Sequence, residues 1–522
     1  MPSLKSLYPK AWENRLSHHH PLVKKGCKPF FIALGTNFLY LQILFLGLFA
    51  YIFGALFQQT SHTHNLSIAF VDYDGGAIGR AVRGAYSSLQ GEGFPSLIER
   101  SPSEIETTTD LLQAVCQTKY WGALYVTQGA SARLQEALAG STAASAYDNS
   151  DVMAYIWNQA VYAPVVDPAI SANLQLLSNT ARVVYSTGNG TGNIQSVSGA
   201  GALSVLADPW KLQSINIQPT SQGSRAIYNT VVIILILIQE FFYLGTLNGL
   251  YGQFKLYARL DPYRIIAVRN LTSLAYTFVG SICVVSMIWA FKSDWNVNGN
   301  QYALTWIALW LFAHANFLTL DVFTIWLPAP FVPMALVSWI IFNVTSVILP
   351  FELSPGFYQL GYIFPAHEVY QVLTHIWSRG CNPQLHYALP VLFTWELAAF
   401  LLSALGVFRR CHFSTIGEEL QAREFKERVD VAVEFEMSRK NTKMQKSPKP
   451  LRVESEEEPK ETPSELDGSR TEDDEEAMRD ELAGIIQRVN TKQQRELEKM
   501  GTACNFGPSF NVPFNHESED EE

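Results

Sequence analysis

The sequence predicts an α-helical polytopic membrane protein with six transmembrane helices arranged as one plus five, an inserted extracytoplasmic α/β domain and a largely disordered acidic cytoplasmic tail. Three observations predict this fold class. The 522 residues are 48% hydrophobic but only 16% charged, whereas an ordinary soluble protein is about 25% charged. Uncharged stretches long enough to cross a bilayer recur along the chain. Finally, residues 409–522 hold 18 basic and 28 acidic side chains, and therefore the entire net charge of −10.

The first predicted transmembrane helix covers residues 30–57, which are 28 residues without a charged side chain. About 20 apolar residues suffice to cross the hydrocarbon core. A cleaved signal peptide is the alternative, but its apolar region would be only about 7–15 residues long. Residues 1–29 are rich in lysine and arginine, so this N-terminus is predicted to be cytoplasmic.

Five further apolar stretches cluster in a predicted membrane domain at residues 227–408. They are residues 227–251, 265–291, 302–327, 331–349 and 387–408. Six spans return the chain to the cytoplasm, in agreement with the Arg409-Arg410 pair after the last one. The same count places residues 58–226 and the aromatic loop at 350–386 outside the cytosol.

Residues 58–226 are predicted to form one compact α/β domain, since strand-like runs alternate with segments of helical spacing. That alternation is typical of a mainly parallel sheet. Residues 151–185 are predicted to be helical, and the Gly/Ser-rich stretch at 186–201 a mobile loop. Asn65 and Asn189 each begin an Asn-X-Ser/Thr sequence and are candidate glycosylation sites.

The cysteines fit this topology without a disulfide scaffold. Cys116 and Cys381 are the only two of the six that the predicted topology places outside the cytosol. They could form a bridge between the α/β domain and the last external loop. Two buried free thiols are the alternative.

A predicted strand ends at Asp72, Asp74, Gly75 and Gly76. Two carboxylates two residues apart can hold a divalent metal, as in many sugar-nucleotide transferases. The favoured interpretation is a turn, because aspartate followed by glycine is ordinary turn chemistry. Phosphate-loop, nucleophile-elbow and zinc-helix motifs are absent from the sequence, so neither an enzyme nor a metal or cofactor is predicted.

Five ionisable side chains lie within predicted spans and are candidate functional residues, since charge inside a membrane is costly. They are Glu240, Arg269, His314, Asp321 and Glu396. Arg269 could instead extend its side chain towards the cytoplasmic surface, and Asp321 could lie near a boundary. Structural hydrogen bonds between helices are the alternative for the other three.

The loop at 350–386 is too aromatic for a free loop and too interrupted for a span. We expect it at the outer membrane interface, or packed as a lid over the helices. Its distinctive residues are Ser354, Pro355, Gly356, Phe357, Tyr358, Gly361, Tyr362, Pro365 and His367. Together with the Asp72 turn and the one-plus-five spans, they resemble the fungal nitrosoguanidine-resistance membrane protein family, which is distantly similar to permease subunits of type-2 ABC exporters. The resemblance covers residues 29–410.

The resemblance implies a fungal plasma-membrane protein, or one of another endomembrane, that affects tolerance of toxic compounds. Export of amphiphilic drugs or a change of lipid distribution would both serve this purpose, with membrane lipids and amphiphilic small molecules as partners. The alternative is a non-transporting scaffold that regulates other transporters or flippases, or that acts as a homo-oligomer. A metal-dependent transferase using Asp72 and Asp74 ranks third. Nucleic acid is not a predicted partner, because no domain has a basic excess.

The tail at 409–522 begins with a charged, helix-prone segment at 415–440. Residues 454–476 are strongly acidic and predicted to be disordered, and residues 476–500 could form a second helix. This composition suits a regulatory or partner-binding segment, with a functionally neutral solvated extension as the alternative.

Overall fold

The computed structural model describes residues 21–193, 200–219, 228–292, 295–445 and 477–489. These described residues are 74% helical and also contain one small sheet. Five of their helices are long and apolar enough to cross a membrane. The acidic stretch at 454–476 lies outside the described residues.

The membrane-length helices agree closely with the apolar stretches of the sequence. They are α1 (Pro21–Ala55), α9 (Val231–Gln253), α11 (Pro262–Ala290), α12 (Gly299–Trp326) and α15 (Leu385–Gln445). The remaining apolar stretch forms α13 (Val332–Ile348), which has only 17 residues and is about 26 Å long, against a hydrocarbon core of about 30 Å. The fifth of the six predicted spans is therefore a shorter helix.

The sheet domain contains five strands in the order β2-β1-β3-β4-β5. The strands are β1 (Ser67–Asp72), β2 (Ser96–Arg100), β3 (Gly122–Val126), β4 (Met153–Trp157) and β5 (Gln213–Asn216). Strand β1 is central, parallel to both neighbours, with Ile68 opposite Leu97 of β2 and Gly122 of β3. The predicted α/β alternation is confirmed over this part of the domain.

Strand β4 corrects the prediction that residues 151–185 are helical. It runs antiparallel to β3, with Leu124 opposite Tyr155, and all five of its residues are buried. A strand buried on both faces lacks polar alternation, so its short apolar run cannot be told from a buried helix by periodicity.

Short helices connect and cover these strands. They are α2 (Ala77–Leu89), α3 (Thr108–Cys116), α4 (Ala130–Ala139), α5 (Ser141–Ala146), α6 (Ala163–Val166), α7 (Asn173–Asn193) and α8 (Ala200–Ala207). Residues 186–193, which were predicted to belong to a mobile loop, continue α7, and residues 194–199 lie outside the described residues. Helix α2 packs against α7.

The core of the sheet domain lies on both faces of the sheet. On one face, Leu111 and Val115 of α3 pack on Val71, Tyr125 and Ile156. Helix α2 buries its apolar face, including Ile78 and Val82. Burial of such side chains contributes about 1.5–3 kcal/mol each to the stability of the folded domain.

The aromatic loop is ordered rather than open. It contains 3-10 turns at Phe351–Leu353 and Gly356–Ile363, followed by α14 (Pro365–Trp377). A short helix α10 (Leu256–Arg259) precedes α11. Helix α15 has 61 residues and continues past the predicted end of the last span at residue 408 to Gln445, so the helix-prone start of the tail belongs to it.

The chain divides into two compact units. The first consists of Met1–Leu237, Gly280–Phe312 and Pro333–Trp395, and includes the sheet domain and the aromatic loop. The second consists of Ile238–Val279, Ala313–Val332 and Glu396–Glu522. All five predicted intramembrane ionisable side chains belong to the second unit, and both members of the predicted cysteine pair to the first.

Candidate functional site

Asp321 is the centre of a buried ionic cluster in the second unit. Its Oδ1 atom lies 2.8 Å from Nη2 of Arg269 and 3.1 Å from Nη1 of Arg410. Ser403 donates its hydroxyl to Oδ2 at 2.6 Å. One carboxylate from α12 is thus shared between arginines from α11 and α15.

The remaining donors of the two arginines also find oxygen acceptors. Nη1 of Arg269 donates to the Tyr257 hydroxyl at 2.8 Å, and Nη2 of Arg410 donates to the Thr324 hydroxyl at 2.5 Å. The three charged side chains are only 1–4% exposed. Hydrogen bonds and opposite charges compensate the desolvation of this cluster, so we assign it a structural role.

This cluster bears on one sequence-based interpretation. The Arg269 side chain is 4% exposed and pairs with Asp321, so it is buried within the second unit rather than extended into solvent. Arg410 had been interpreted only as part of a cytoplasmic flank. The signal that could have identified it is its spacing of seven residues from Ser403, which places both on one face of a helix.

His314 and Glu396 form a second ionisable pair, between α12 and α15. Nδ1 of His314 lies 2.5 Å from Oε1 of Glu396. The other nitrogen, Nε2, lies 3.1 Å from the Ser273 hydroxyl oxygen, and that hydroxyl donates to the Asn270 carbonyl at 2.9 Å. Both nitrogens of His314 therefore lie within hydrogen-bond distance of an oxygen atom.

The pair differs from the Asp321 cluster in its incomplete hydrogen bonding. Oε2 of Glu396 is buried and has no partner among the described residues, while the side chain as a whole is 24% exposed. A carboxylate with a spare acceptor can take a proton or contact a polar ligand. This makes His314 and Glu396 the stronger functional candidates.

Glu240 of α9 is 1% exposed, and the described part of the chain offers its Oε2 atom no hydrogen bond. One turn later, the ring of Tyr243 stacks on Tyr276 with centroids 3.6 Å apart. Within the described ranges no ion pair involves Glu240. It is a buried acid with spare bonding capacity, like Glu396.

The distinctive loop residues hold the C-terminal end of α1. Ser354 donates its hydroxyl to the Ala55 carbonyl at 3.1 Å, and Tyr358 donates to the Tyr51 carbonyl at 2.8 Å. The last four carbonyls of a helix lack partners within the helix. Ser354 supplies a partner to one of these, Ala55. Tyr358 bonds a carbonyl one turn earlier, so the role of both side chains is structural.

Other residues of the loop shape its fold. A Cβ atom on Gly361 would lie 2.4 Å from Cζ of Phe351, so only glycine fits there. Pro365 occupies the first turn of α14, where its missing N–H costs nothing. Pro355 and Gly356 begin the second 3-10 turn, and Phe357 and Tyr362 are 66% and 43% exposed.

Both ring nitrogens of His367 make hydrogen bonds within the first unit. Its Nδ1 lies 3.1 Å from the Ser346 carbonyl oxygen, and its Nε2 lies 3.2 Å from Nε2 of Gln371. Burial lowers the pKa of His367 to about 4. The ring is therefore neutral at pH 7, with Nδ1 as donor and Nε2 as acceptor.

Protein groups bond both carboxylates of the strand-end turn. Oδ1 of Asp72 accepts the N–H groups of Asp74 and Gly75, and Oδ2 pairs with Arg83 at 2.9 Å. Oδ1 of Asp74 accepts the N–H of Ser131 at 3.1 Å. Gly75 has a φ of 63°, which suits glycine. Gly76 is the N-cap residue of α2, so the structure has the turn favoured by the sequence.

Cys116 and Cys381 are joined by a disulfide, with Cα atoms 4.4 Å apart. The structure therefore contains the predicted bridge rather than two free thiols.

The two candidate glycosylation sites lie in different settings. Asn65 is exposed, and its Nδ2 donates to the Glu352 carbonyl at 2.9 Å. Asn189 lies within α7.

Among the described residues, no three His, Cys, Asp or Glu side chains converge to hold a metal ion. Residues 37–401 match a family described as protein of unknown function, DUF3533. The chain belongs to this family. The DUF3533 match runs from within α1 to within α15. It includes the sheet domain, the His314 and Glu396 pair, and Arg269 and Asp321 of the ionic cluster. Arg410 lies beyond the matched residues. No solved structure matches the chain.

Proposed function

We propose that this DUF3533 protein is a membrane permease that confers tolerance of toxic compounds, by exporting amphiphilic molecules or by redistributing lipids across the membrane. The observation that supports this most strongly is the His314 and Glu396 pair. Two ionisable side chains from separate membrane-length helices meet there, and one carboxylate oxygen is left without a partner. Charged side chains cost about 2.5–3.5 kcal/mol at the centre of a span and commonly mark transport or proton pathways.

The proposal includes the full topology of six spans, with both ends of the chain in the cytoplasm of a fungal cell. Helix α13 would be the fifth of these spans, with slight thinning of the bilayer to match its length. The disulfide supports the external position of the sheet domain and the aromatic loop, because disulfides persist outside the cytosol. The plasma membrane is the location that the family resemblance implies.

Reconstitution tests intrinsic transport directly. The purified chain is placed in liposomes with a fluorescent lipid analogue or a fluorescent amphiphilic cation, under a proton gradient or with nucleotide. We expect movement across the bilayer that is lost in Glu396→Gln and His314→Ala. Glu419→Gln, at an exposed position of the same helix, is the matched control and should behave as wild type.

A scaffold or regulator is the second candidate function, favoured by the cytoplasmic end of α15. Arg479 pairs with Asp430 at 2.9 Å, so the described helix at 477–489 folds back on α15. If wild-type protein moves neither probe in liposomes but deletion of residues 446–522 abolishes tolerance in cells, the scaffold is favoured over the permease.

A further inference from the structure

The first unit contains a cavity of about 80 Å³ between the C-terminal end of α3, the segment that follows β4 and the aromatic loop. A water molecule needs about 10–15 Å³ of such space. The cavity therefore has room for several waters, or for one molecule of a few heavy atoms. None of the intramembrane ionisable residues lines it.

Three residues that line this cavity carry buried polar atoms to which no other described residue offers a hydrogen bond. They are Nδ2 of Asn158, the hydroxyl of Tyr162 and Oε1 of Gln384. Asn158 and Tyr162 are only 5% and 3% exposed. Buried polar groups are almost always hydrogen-bonded in native proteins, so three such atoms around one cavity indicate an occupant that bonds to them.

The orientation of the Asn158 amide is determined by its other end. Oδ1 of Asn158 accepts the N–H of Ala160 at 3.1 Å, which leaves Nδ2 as a donor towards the cavity. Gln384 presents an acceptor, and the Tyr162 hydroxyl can act in either sense. The occupant must therefore offer both an acceptor and a donor within a short distance.

The charged side chains that line the cavity favour a ligand of positive charge. Glu352 contributes a carboxylate, and the lining contains no lysine or arginine. His367 also lines the cavity, but its two nitrogens are engaged by Ser346 and Gln371. An anion would find no positive partner here, whereas a cation would meet an acid.

Aromatic rings reinforce this preference. Trp121 and Tyr162 line the cavity with ring centroids 6.5 Å apart, and Phe351 and Tyr362 line it with centroids 4.5 Å apart. The faces of aromatic rings attract cations by about 0.5–2 kcal/mol, depending on solvent exposure. Acid and rings together are typical of sites for organic ammonium groups.

We propose that this cavity binds a small protonated amine with a neighbouring oxygen, of which ethanolamine is the simplest example. The ammonium group would lie against Glu352 and the Gln384 Oε1 atom, and its oxygen would accept from Asn158. The same chemistry is present in free ethanolamine and in the headgroup of phosphatidylethanolamine. Binding at this cavity requires no transport, so it is tested independently of the proposed permease function.

Calorimetric titration of the purified full-length chain with ethanolamine tests the site. We expect saturable binding, a loss of at least several-fold in Glu352→Gln, and a smaller loss in Tyr162→Phe, which keeps the ring. Ethylene glycol, in which a neutral hydroxyl replaces the ammonium group, should not bind. Glu136→Gln, at an exposed position of α4, is the control that should leave binding unchanged.

A second arm distinguishes the two sources of the amine. The chain in nanodiscs of phosphatidylethanolamine is compared with the chain in phosphatidylglycerol, by the thermal stability that the lipid adds in wild type and in Glu352→Gln. If phosphatidylethanolamine stabilises wild type but not Glu352→Gln, the ligand is the lipid headgroup. If free ethanolamine binds but the lipid adds no stability, the ligand is the soluble amine. Equal binding of ethylene glycol, undiminished binding in Glu352→Gln, or no response to either amine would overturn the proposal.

Discussion

The disulfide between Cys116 and Cys381 joins the last residue of α3 to the segment after α14, across 265 positions of sequence. Their sequence neighbours Val115 and Asn382 both line the cavity that also contains Asn158 and Gln384. Asn382 also donates to Oε1 of Gln371 at 2.7 Å. The bridge therefore fixes two walls of the cavity relative to each other.

Removal of this bridge should destabilise the first unit. For Cys116→Ser with Cys381→Ser we expect a loss of about 2–5 kcal/mol, because the unfolded chain gains the freedom that the cross-link removes. Thermal unfolding followed by tryptophan fluorescence measures the effect. Cys283→Ser removes a free, exposed thiol and should leave the melting temperature unchanged. An equal melting temperature with and without reductant would contradict the prediction.

Glu368 should make stability depend on pH. Burial raises its pKa from 4.5 to about 7, and neither carboxylate oxygen has a partner in the described part of the structure. The folded state therefore holds a proton that the unfolded state releases above pH 4.5. This contribution is fully present below pH 4.5 and is lost as the pH rises to about 7, which corresponds to roughly 3 kcal/mol.

The variant Glu368→Gln isolates this contribution. It should unfold at a higher temperature than wild type at pH 8, with a much smaller difference at pH 4.5. His367 has the opposite dependence, because its lowered pKa removes stability as the pH falls from 6.5 to about 4. The difference between variant and wild type therefore measures Glu368, and a difference independent of pH would refute the assignment.

Asp321→Ala should destabilise the second unit strongly. The change leaves Arg269 and Arg410 buried without a counter-charge, and breaking a buried ion pair typically costs about 3–5 kcal/mol. Ser403→Ala removes only one hydrogen bond to Asp321, so a loss of about 1–2 kcal/mol is expected. Chemical unfolding in detergent measures both, and a loss in Asp321→Ala no larger than in Ser403→Ala would show that the cluster is not coupled.

Gly361→Ala should disturb the aromatic loop. Its new Cβ atom would meet the Phe351 ring at 2.4 Å, a distance that requires the ring to move. Overpacking of this kind costs about 1–3 kcal/mol. Gly356→Ala is the matched control in the same loop, since nothing lies within 4 Å of its Cβ position. Equal melting temperatures for the two variants would contradict the predicted role of Gly361.

The elements that the sequence predicted well are those with a strong local pattern. The apolar stretches gave the membrane-length helices because each is long and contains few charged residues, and β1 was found because the turn after Asp72 ends it. Strand β4 was missed because both of its faces are buried. The helical course of residues 186–193 was missed because glycine and serine lower helix propensity locally, while packing of α7 on α2 is a tertiary effect.

The candidate sites show the same division. Glu240, His314 and Glu396 could be identified from sequence, because a charge within an apolar stretch is visible there. Their partners could not, since Ser273 and His314 are 41 positions apart. The partners of Arg410 were not predicted, because a position at the end of an apolar stretch does not reveal which way its side chain turns.

The sequence by itself determined that the chain has long apolar helices, one inserted α/β domain and a strongly acidic end, because composition and periodicity are local properties. Only the tertiary structure decided that Asp321 is shared by two arginines. The same holds for the bonds that Ser354 and Tyr358 make to carbonyls at the C-terminal end of α1. It also holds for the cavity that Asn158 and Gln384 line together. These contacts join positions far apart in the chain, and their energies depend on distance, burial and orientation, which no linear pattern encodes.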